Sequence, residues 1–296
     1  MSPLETKRWV GLIGSAPEHS LSPAIHNRAF ATRDVPWRYI TLPVPAGAPD
    51  ALRETLTSLK PRGFAGANIT VPHKESALEM VDRCTATVQA IGAANSIRVE
   101  ADGTLTAHNT DIEGFARSLI AQGGNIRGED ALIFGAGGAA RAVTWALTQG
   151  GARSVTLVNR DVGRAQALLD DLYPSAARST LESDLRARPW SESDISELLS
   201  GPHGPSLIIN TTPLGSPSHL GQTPWPEAIA PDPRAVYVDL VYHPRPTPFL
   251  QRAAAAGALT IDGLGMLLEQ AALAFEIWHG KAPATDAVYA MLRESA

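Results

Sequence analysis

Cysteine is nearly absent: Cys84 stands alone in 296 residues. One thiol closes no internal disulfide and builds no cysteine zinc site, so a disulfide scaffold and a zinc ribbon are both excluded. Cys84 reads as filler on an apolar helix face. No apolar run approaches the roughly 20 residues that cross a bilayer. The start, MSPLETKRWVGLIG, carries Glu5 and only a short apolar stretch, unlike a secretory signal. There is no long block of like charge, and 25 basic against 30 acidic residues leave a net charge of -5. That balance gives no footprint for nucleic acid or an anionic membrane. The eight histidines are scattered without ligand spacing, so no metal is expected. No internal repeat or low-complexity tract occurs. The expectation is a soluble, cytoplasmic protein, a monomer or homodimer, whose partner is a small molecule.

With 44% hydrophobic and 19% charged residues, the chain has the material for ordinary cores. Strands are expected at 8–14, 37–44 and 63–71, with a hairpin of 92–100 and 104–110 about Asp102-Gly103. Helices are expected at 22–33, with Pro23 at the first position, and at 49–60 and 73–81. A second α/β unit follows. It has helix 111–121, a strand, glycine turn and helix across 131–151, strand 154–161 and helix 162–173. Strands 206–213, 235–242 and 260–262 and helices 248–258, 265–280 and 285–295 complete it. Residues 174–205 show no clear period, and the proline-rich 213–233 reads as loop. Strands alternating with helices imply an α/β fold with parallel sheets.

Gly135-Ala136-Gly137-Gly138-Ala139-Ala140 fits G-x-G-x-x-G/A, between the strand ALIF and a helix. The first glycine permits the turn, the second lets backbone approach a pyrophosphate, and the small residue at 140 lets helix and strand pack closely. The helix N-terminus then offers free N–H groups to phosphate. The next strand ends in Asn159-Arg160, with Arg164 four residues on, where an NAD site usually carries an acid. Two guanidiniums there suit a 2′-phosphate, which favours NADP over NAD. Asp161 either repels that phosphate or serves as a helix N-cap.

Polar residues cluster in the first unit. Asn68 and Thr70 share one face of a strand, and the helix expected over 73–81 puts Lys74 in its first turn. A helix N-terminus carries partial positive charge, so a lysine is poorly placed there unless its pKa is meant to fall. Ser20 and Ser22 precede a helix, where they serve as caps or hold a carboxylate. Asn95 sits in a strand, where asparagine is depleted. Thr110 and Glu113 match a capping box, which leaves Asp111 at the first helical position, a favoured place for any acid.

HSLSP (19–23), GANITVPHK (66–74), GAANS (92–96), NTD (109–111), GAGGAARA (135–142), NR (159–160), INTTP (209–213), DLVY (239–242), TPF (247–249) and DGLGMLLEQAALAFEIWHG (262–280) follow one another along the chain. In this order they resemble the shikimate/quinate dehydrogenase family, and most closely its shikimate dehydrogenases, over nearly the whole length. The resemblance implies an N-terminal substrate domain, residues 1–107 completed by C-terminal helices in 262–296, and a Rossmann-like cofactor domain, residues 108–261. It implies NADPH-dependent, reversible reduction of 3-dehydroshikimate to shikimate, in chorismate and aromatic amino acid biosynthesis. Mapped onto this chain, Ser20 and Ser22 hold the substrate carboxylate, with Thr70 and Tyr242 near it. Asn68, Thr70, Asn95, Asp111 and Gln270 contact ring hydroxyls, and Lys74 with Asp111 forms the catalytic pair. Gly135, Ala136, Gly137, Gly138 and Ala139 hold the pyrophosphate. Asn159, Arg160 and Arg164 hold the adenosine ribose and its phosphate, Thr211 and Leu240 line the nicotinamide pocket, and Gly263 is a further cofactor-binding residue. Members that use NADP usually carry Thr or Ser after Asn-Arg, where this chain has Asp161.

The implied chemistry takes hydride and a proton from a secondary alcohol, so a base must take the proton as hydride leaves. Lysine serves if its pKa falls from about 10.4 toward working pH. Quinate with NAD is the main alternative. Quinate carries an extra hydroxyl beside its carboxylate, and family members preferring it often replace one serine with Thr or Tyr; both serines here favour shikimate. A dehydrogenase of an amino-shikimate analogue is a further alternative. A dinucleotide-binding regulator would keep the glycine turn without needing Lys74 and Asp111 together.

Overall fold

The computed structural model describes residues 7–174, 178, 181–200 and 204–283; the helix expected over 285–295 lies outside them. The described chain divides into two compact units. One holds the residues up to Gly114 with those from Leu268 onward, the other Phe115–Leu267.

The first unit is built on β1 (Trp9–Gly14), β2 (Arg38–Pro43), β3 (Phe64–Ile69), β4 (Arg83–Cys84), β5 (Ser96–Val99) and β6 (Leu105–His108), in the order β2-β1-β3-β5-β6-β4. β1 runs parallel to β2 and β3. β5 is antiparallel to both β3 and β6. β4 pairs parallel with β6, so β5 alone runs against the other five strands and the expected parallel arrangement holds for the rest. The hairpin about Asp102-Gly103 turns the chain from β5 back into the common direction at β6. The turn is closed by Glu100 N–H to Thr104 O at 2.9 Å. α1 (Ser22–Thr32), α2 (Pro49–Ser58) and α3 (Ala86–Ile91) accompany the sheet. Ile13, Leu56, Leu59, Phe64, Ile69, Val88 and Ile97 form its core.

The α-helix expected over 73–81 does not form. Residues 71–75 are turns, and a short 3-10 helix runs from Ser76–Met80. Ala77 and Met80, and Leu78 and Val81, stand three apart, the 3-10 period, and all four pack on the core. Lys74 thus precedes a five-residue 3-10 turn and has no α-helix dipole behind it.

α4 (Asp111–Ala121) leads into the second unit. There β7 (Asp130–Phe134), β8 (Ser154–Asn159), β9 (Asp184–Pro189), β10 (Leu207–Asn210), β11 (Val236–Asp239) and β12 (Leu259–Ile261) form an all-parallel sheet ordered β12-β11-β10-β7-β8-β9. From β7 the chain winds outward through β8 and β9, then returns to β10 and winds the other way. This is the doubly wound order of dinucleotide-binding sheets, with the switch point between β7 and β10. DALIF and LIIN are buried at every position, as strands covered on both faces must be. α5 (Gly138–Gln149), α6 (Val162–Leu172), α7 (Glu192–Ser200) and α8 (Pro248–Ala255) are the connections, and α9 (Gly263–His279) follows β12. β9 and α7 occupy the stretch that shows no period in the sequence. β9 is an edge strand whose Leu185 and Ala187 alternate with arginines, and α7 fully buries Ile195 alone, so neither leaves a strong apolar pattern. Among the described residues no helix is long and apolar enough to cross a membrane, and no cluster of His, Cys, Asp and Glu could hold a metal.

Candidate functional site

In the first unit, β1 and β3 end at the same edge of the sheet. β5, being antiparallel, begins there, with Ser96 opposite Asn68, and β6 ends there, with His108 opposite Ser96. The loop carrying Ser20 and Ser22, the Thr70–Lys74 turn, Asn95, and the start of α4 at Asp111 all issue from that edge. Four distant stretches of sequence therefore deliver their polar residues to one end of the sheet.

Lys74 and Asp111 meet: Nζ lies 2.6 Å from Oδ2, with 15% and 6% of the two side chains exposed. The acid is almost wholly withdrawn from water, so its partners matter. Its other oxygen accepts from Asn95 Nδ2 at 2.7 Å. Asn95 Nδ2 also reaches Thr110 Oγ1 at 2.9 Å and Gln270 Oε1 at 3.4 Å, while Asn95 Oδ1 accepts the Thr110 N–H at 2.7 Å. This accounts for an asparagine at the head of a strand: its amide joins β5, α4 and α9. Asn109 Oδ1 accepts the N–H groups of Asp111 and Ile112, at 3.0 and 3.4 Å, so it helps cap α4. Each carboxylate oxygen keeps a lone pair, and the ammonium has donors beyond the one spent on Asp111. The pair can therefore give or receive a proton at a third oxygen.

Asn68 is buried at the end of β3; it donates to Asn95 O at 3.0 Å and accepts from the Tyr39 hydroxyl at 2.8 Å. Thr70 follows in the turn, its N–H bonded to Ile13 O at 2.8 Å. Ser20 and Ser22 pair with each other: Ser20 Oγ donates to Ser22 Oγ and accepts the Ser22 N–H, both at 3.1 Å. They enter α1 as neighbours, apart from the Lys74 network. Tyr242 belongs to the second unit, in the loop after β11.

The second unit gathers its candidates at the carboxyl ends of its strands. Gly135, straight after β7, has φ 113°, and a Cβ there would stand 2.6 Å from Thr211 Oγ1. Only glycine meets both demands. Thr211 itself donates to Phe134 O at 2.7 Å, which fixes it beside the turn. Gly137 caps α5 without a side chain, and nothing lies within 4 Å of where its Cβ would be. The space beside Gly137, at the N-terminus of α5, is therefore open, which fits a pyrophosphate approaching the helix start. At the end of β8, Asn159 Nδ2 donates to Asp161 O at 2.8 Å, and Arg164 Nε to Ala136 O at 3.0 Å. Arg160 is exposed. Asp161 is the N-cap of α6, its side chain accepting the Arg164 N–H at 3.2 Å. Leu240 is anchored by its N–H to Asn210 O at 3.0 Å, and its carbonyl presses on Gly263 so closely that a Cβ there would collide with it.

A buried group that sequence reasoning does not assign holds these loops. Asp239 is 0% exposed and accepts from Thr247 Oγ1 at 2.6 Å, Asn210 Nδ2 at 2.9 Å and the Val241 N–H at 3.0 Å. Asn210 Oδ1 in turn accepts the Thr212 N–H at 2.9 Å. Burial pushes the Asp239 pKa up to about 6, against the hydrogen bonds from Thr247, Val241 and Asn210 that lower it. The available signal is a polar residue closing each of two apolar strands, LIIN and VYVD. A cavity of about 520 Å³ at the opposite, amino ends of β7, β8 and β9 is lined by Arg153, Asp130, Arg186 and Asp184. Those charges already pair with each other, so the cavity offers no unmet partner from that set.

The sequence patterns of three families match the chain. "Shikimate dehydrogenase substrate binding domain" matches residues 12–97, "Shikimate / quinate 5-dehydrogenase" residues 117–195, and "Shikimate 5'-dehydrogenase C-terminal domain" residues 263–293. A shikimate dehydrogenase (NADP(+)) of Salinibacter ruber is 42% identical over 291 residues, covering 97% of this chain and 98% of its own. A crystal structure of a shikimate dehydrogenase in complex with NADP+ superposes with a TM-score of 0.86 at 32% identity, over 98% of this chain and 96% of the other. The shikimate 5-dehydrogenase of Thermus thermophilus in complex with NADP(H) and shikimate superposes with a TM-score of 0.79 at 33% identity, over 98% and 100%.

Proposed function

The chain belongs to the shikimate dehydrogenase family, and on that premise we propose that it catalyses the reversible reduction of 3-dehydroshikimate to shikimate with NADPH, with Lys74 and Asp111 managing the proton. It is an oxidoreductase acting on a CH–OH group, in chorismate and aromatic amino acid biosynthesis. We assign substrate binding to the first unit and the cofactor to the second, and we place the protein in the cytoplasm, as a monomer or homodimer.

The observation that carries the reading is the Lys74–Asp111 pair at 2.6 Å, set at a sheet edge beside the amides of Asn68, Asn95 and Gln270. Bound NADP supplies the acceptor, and NADPH the donor, of the hydride. The chain's own residues do the rest. In reduction the Lys74 ammonium gives a proton to the oxygen that forms as the ketone is reduced. Asp111 aims that ammonium and balances its charge. In oxidation the pair takes the same proton back. The segment behind Lys74 is a 3-10 turn, so no α-helix dipole acts on it. Asn68, Thr70, Asn95 and Gln270 bind ring hydroxyls, and such groups reject analogues lacking them because their own polar atoms are left unpaired. Ser20 and Ser22, with Thr70 and Tyr242, take the carboxylate.

Gly135, Ala136, Gly137, Gly138 and Ala139 take the pyrophosphate on backbone N–H groups. Asn159, Arg160 and Arg164 take the ribose and its 2′-phosphate, and Thr211, Leu240 and Gly263 the nicotinamide end. Asp161 serves as a helix cap, which gives it a role other than the cofactor. Steady-state assays with shikimate and quinate, each with NADP and NAD, test the reading. The expected result is the highest kcat/KM for shikimate with NADP; a preference for quinate with NAD would replace it.

A further inference from the structure

We propose that Tyr39 is a positioning residue for the substrate: the Asn95 carbonyl sets the amide of Asn68, and the Tyr39 hydroxyl holds it there, so that Asn68 offers the ring an N–H. The inference rests on the assignment of Asn68 to the substrate ring. Asn68 Nδ2 stands 3.0 Å from the backbone carbonyl of Asn95. A carbonyl only accepts, so the amide nitrogen must be the atom that faces it. The Asn68 oxygen then points to Tyr39, and the phenol must donate, at 2.8 Å. One of the two N–H groups of Asn68 is spent on Asn95, and the other remains for a ligand.

Tyr39 is built to hold that setting. It lies on β2, the edge strand, 2% exposed. Asn27 of α1 clamps its backbone in both directions, accepting its N–H at 2.9 Å and donating to its carbonyl at 3.0 Å. The ring stacks on His26, with centroids 4.5 Å apart and planes 9° from parallel. His26 is wholly buried, its pKa pushed down to about 3 by that burial, so it is a neutral platform. Trp278, tied by its indole N–H to Ile97 O at 2.9 Å, stands 6.2 Å from the Tyr39 ring. A phenol so confined has little freedom to release the amide.

The orientation has a chemical consequence. An N–H suits a hydroxyl oxygen and a ketone oxygen equally, since both accept. A carbonyl suits only the hydroxyl. With the Asn95 carbonyl setting the amide and Tyr39 holding its oxygen, Asn68 stays a donor in both directions of the reaction.

Tyr39→Phe keeps the ring and its stack and removes the O–H. It is expected to raise KM for shikimate roughly 3- to 10-fold, the loss typical of one neutral hydrogen bond, with KM for NADP unchanged. Asn68→Ala should raise KM for shikimate at least as much, and adding Tyr39→Phe to it should change nothing further. If Asn68→Ala raises KM and Tyr39→Phe does not, or if Tyr39→Phe raises KM as much in the Asn68→Ala background, the proposal is overturned. If Asn68→Ala leaves KM unchanged, the assignment of Asn68 fails and takes the proposal with it, while turnover of shikimate by the wild type judges the reaction separately.

Discussion

The two units make their candidate sites from different materials. In the first, side chains from four separated stretches interlock: Lys74, Asn95, Thr110, Asp111 and Gln270 share one hydrogen-bonded network, and Asn68 joins it through the Asn95 carbonyl. In the second, backbone does most of the work. The turn after β7 offers N–H groups, and buried side chains such as Asp239 hold loops in place without facing a ligand. A site of interlocked side chains can direct a proton to one oxygen. A site of backbone donors can hold a charged group that need not react. The division suits a proton moved at one small ring and cofactor phosphates that are held without reacting.

The largest expected effect tests that contrast at its centre. Lys74→Ala should lower kcat by about 10²- to 10⁴-fold, the range for a positioned acid or base, with a modest change in KM for shikimate. Some loss of stability should accompany it, because Asp111 is left in its buried place without its cation. Steady-state kinetics on folded protein measures both constants. A variant with near-normal kcat would remove Lys74 from the chemistry and make the network a structural one.

In the second unit the proposed charged side chains stand at the adenosine end. Arg160→Ala should therefore raise KM for NADP by about 10-fold, as befits a lost hydrogen bond between charged groups, and leave KM for NAD nearly unchanged. Equal effects on both cofactors would show that Arg160 does not meet the 2′-phosphate.

The same contrast explains what can be read in advance. The glycine turn is contiguous and its role is a backbone one, so six residues and their flanks identify it. The strand order around it cannot be read locally, because pairing depends on residues far apart in the chain. The side-chain site is legible residue by residue. Asn95 stands out as an asparagine in a strand, and Asp111 as an acid with a sufficient local explanation. What joins them leaves no local mark. Tyr39 is hidden for a similar reason: a tyrosine in a strand reads as ordinary core, and its hydroxyl partner lies on another strand. The segment after Pro72 misleads because apolar residues at 77, 78, 80 and 81 fit a period of 3.0 as readily as 3.6 over so short a run. The difference matters, since an α-helix would lend Lys74 a dipole that the 3-10 turn does not supply.

The smallest expected effect sets the two units against each other directly. In each, one strongly shifted buried group titrates between acid and neutral pH, His26 in the first and Asp239 in the second, and their costs have opposite signs. Burial lowers the His26 pKa from 6.5 to about 3. Between those values the unfolded chain binds the proton and the native state does not, so the stability of the first unit is full above about pH 6.5 and falls as pH falls. Burial raises the Asp239 pKa from 3.8 to about 6. Between those values the native state holds the proton more tightly than the unfolded chain, so this group weakens the second unit as pH rises through the window. Each slope is at most about 1.4 kcal/mol per pH unit. Urea unfolding at about pH 4, 5, 6 and 7 should show His26→Phe losing less stability than the wild type on acidification. Asp239→Asn should gain less, or lose more, over the same range, whatever its stability at neutral pH. Only the slopes matter, because both variants disturb local contacts. A His26→Phe profile parallel to the wild type would mean that the imidazole under Tyr39 carries its proton in the folded state, and the neutral platform beneath the substrate's tyrosine would have to be given up.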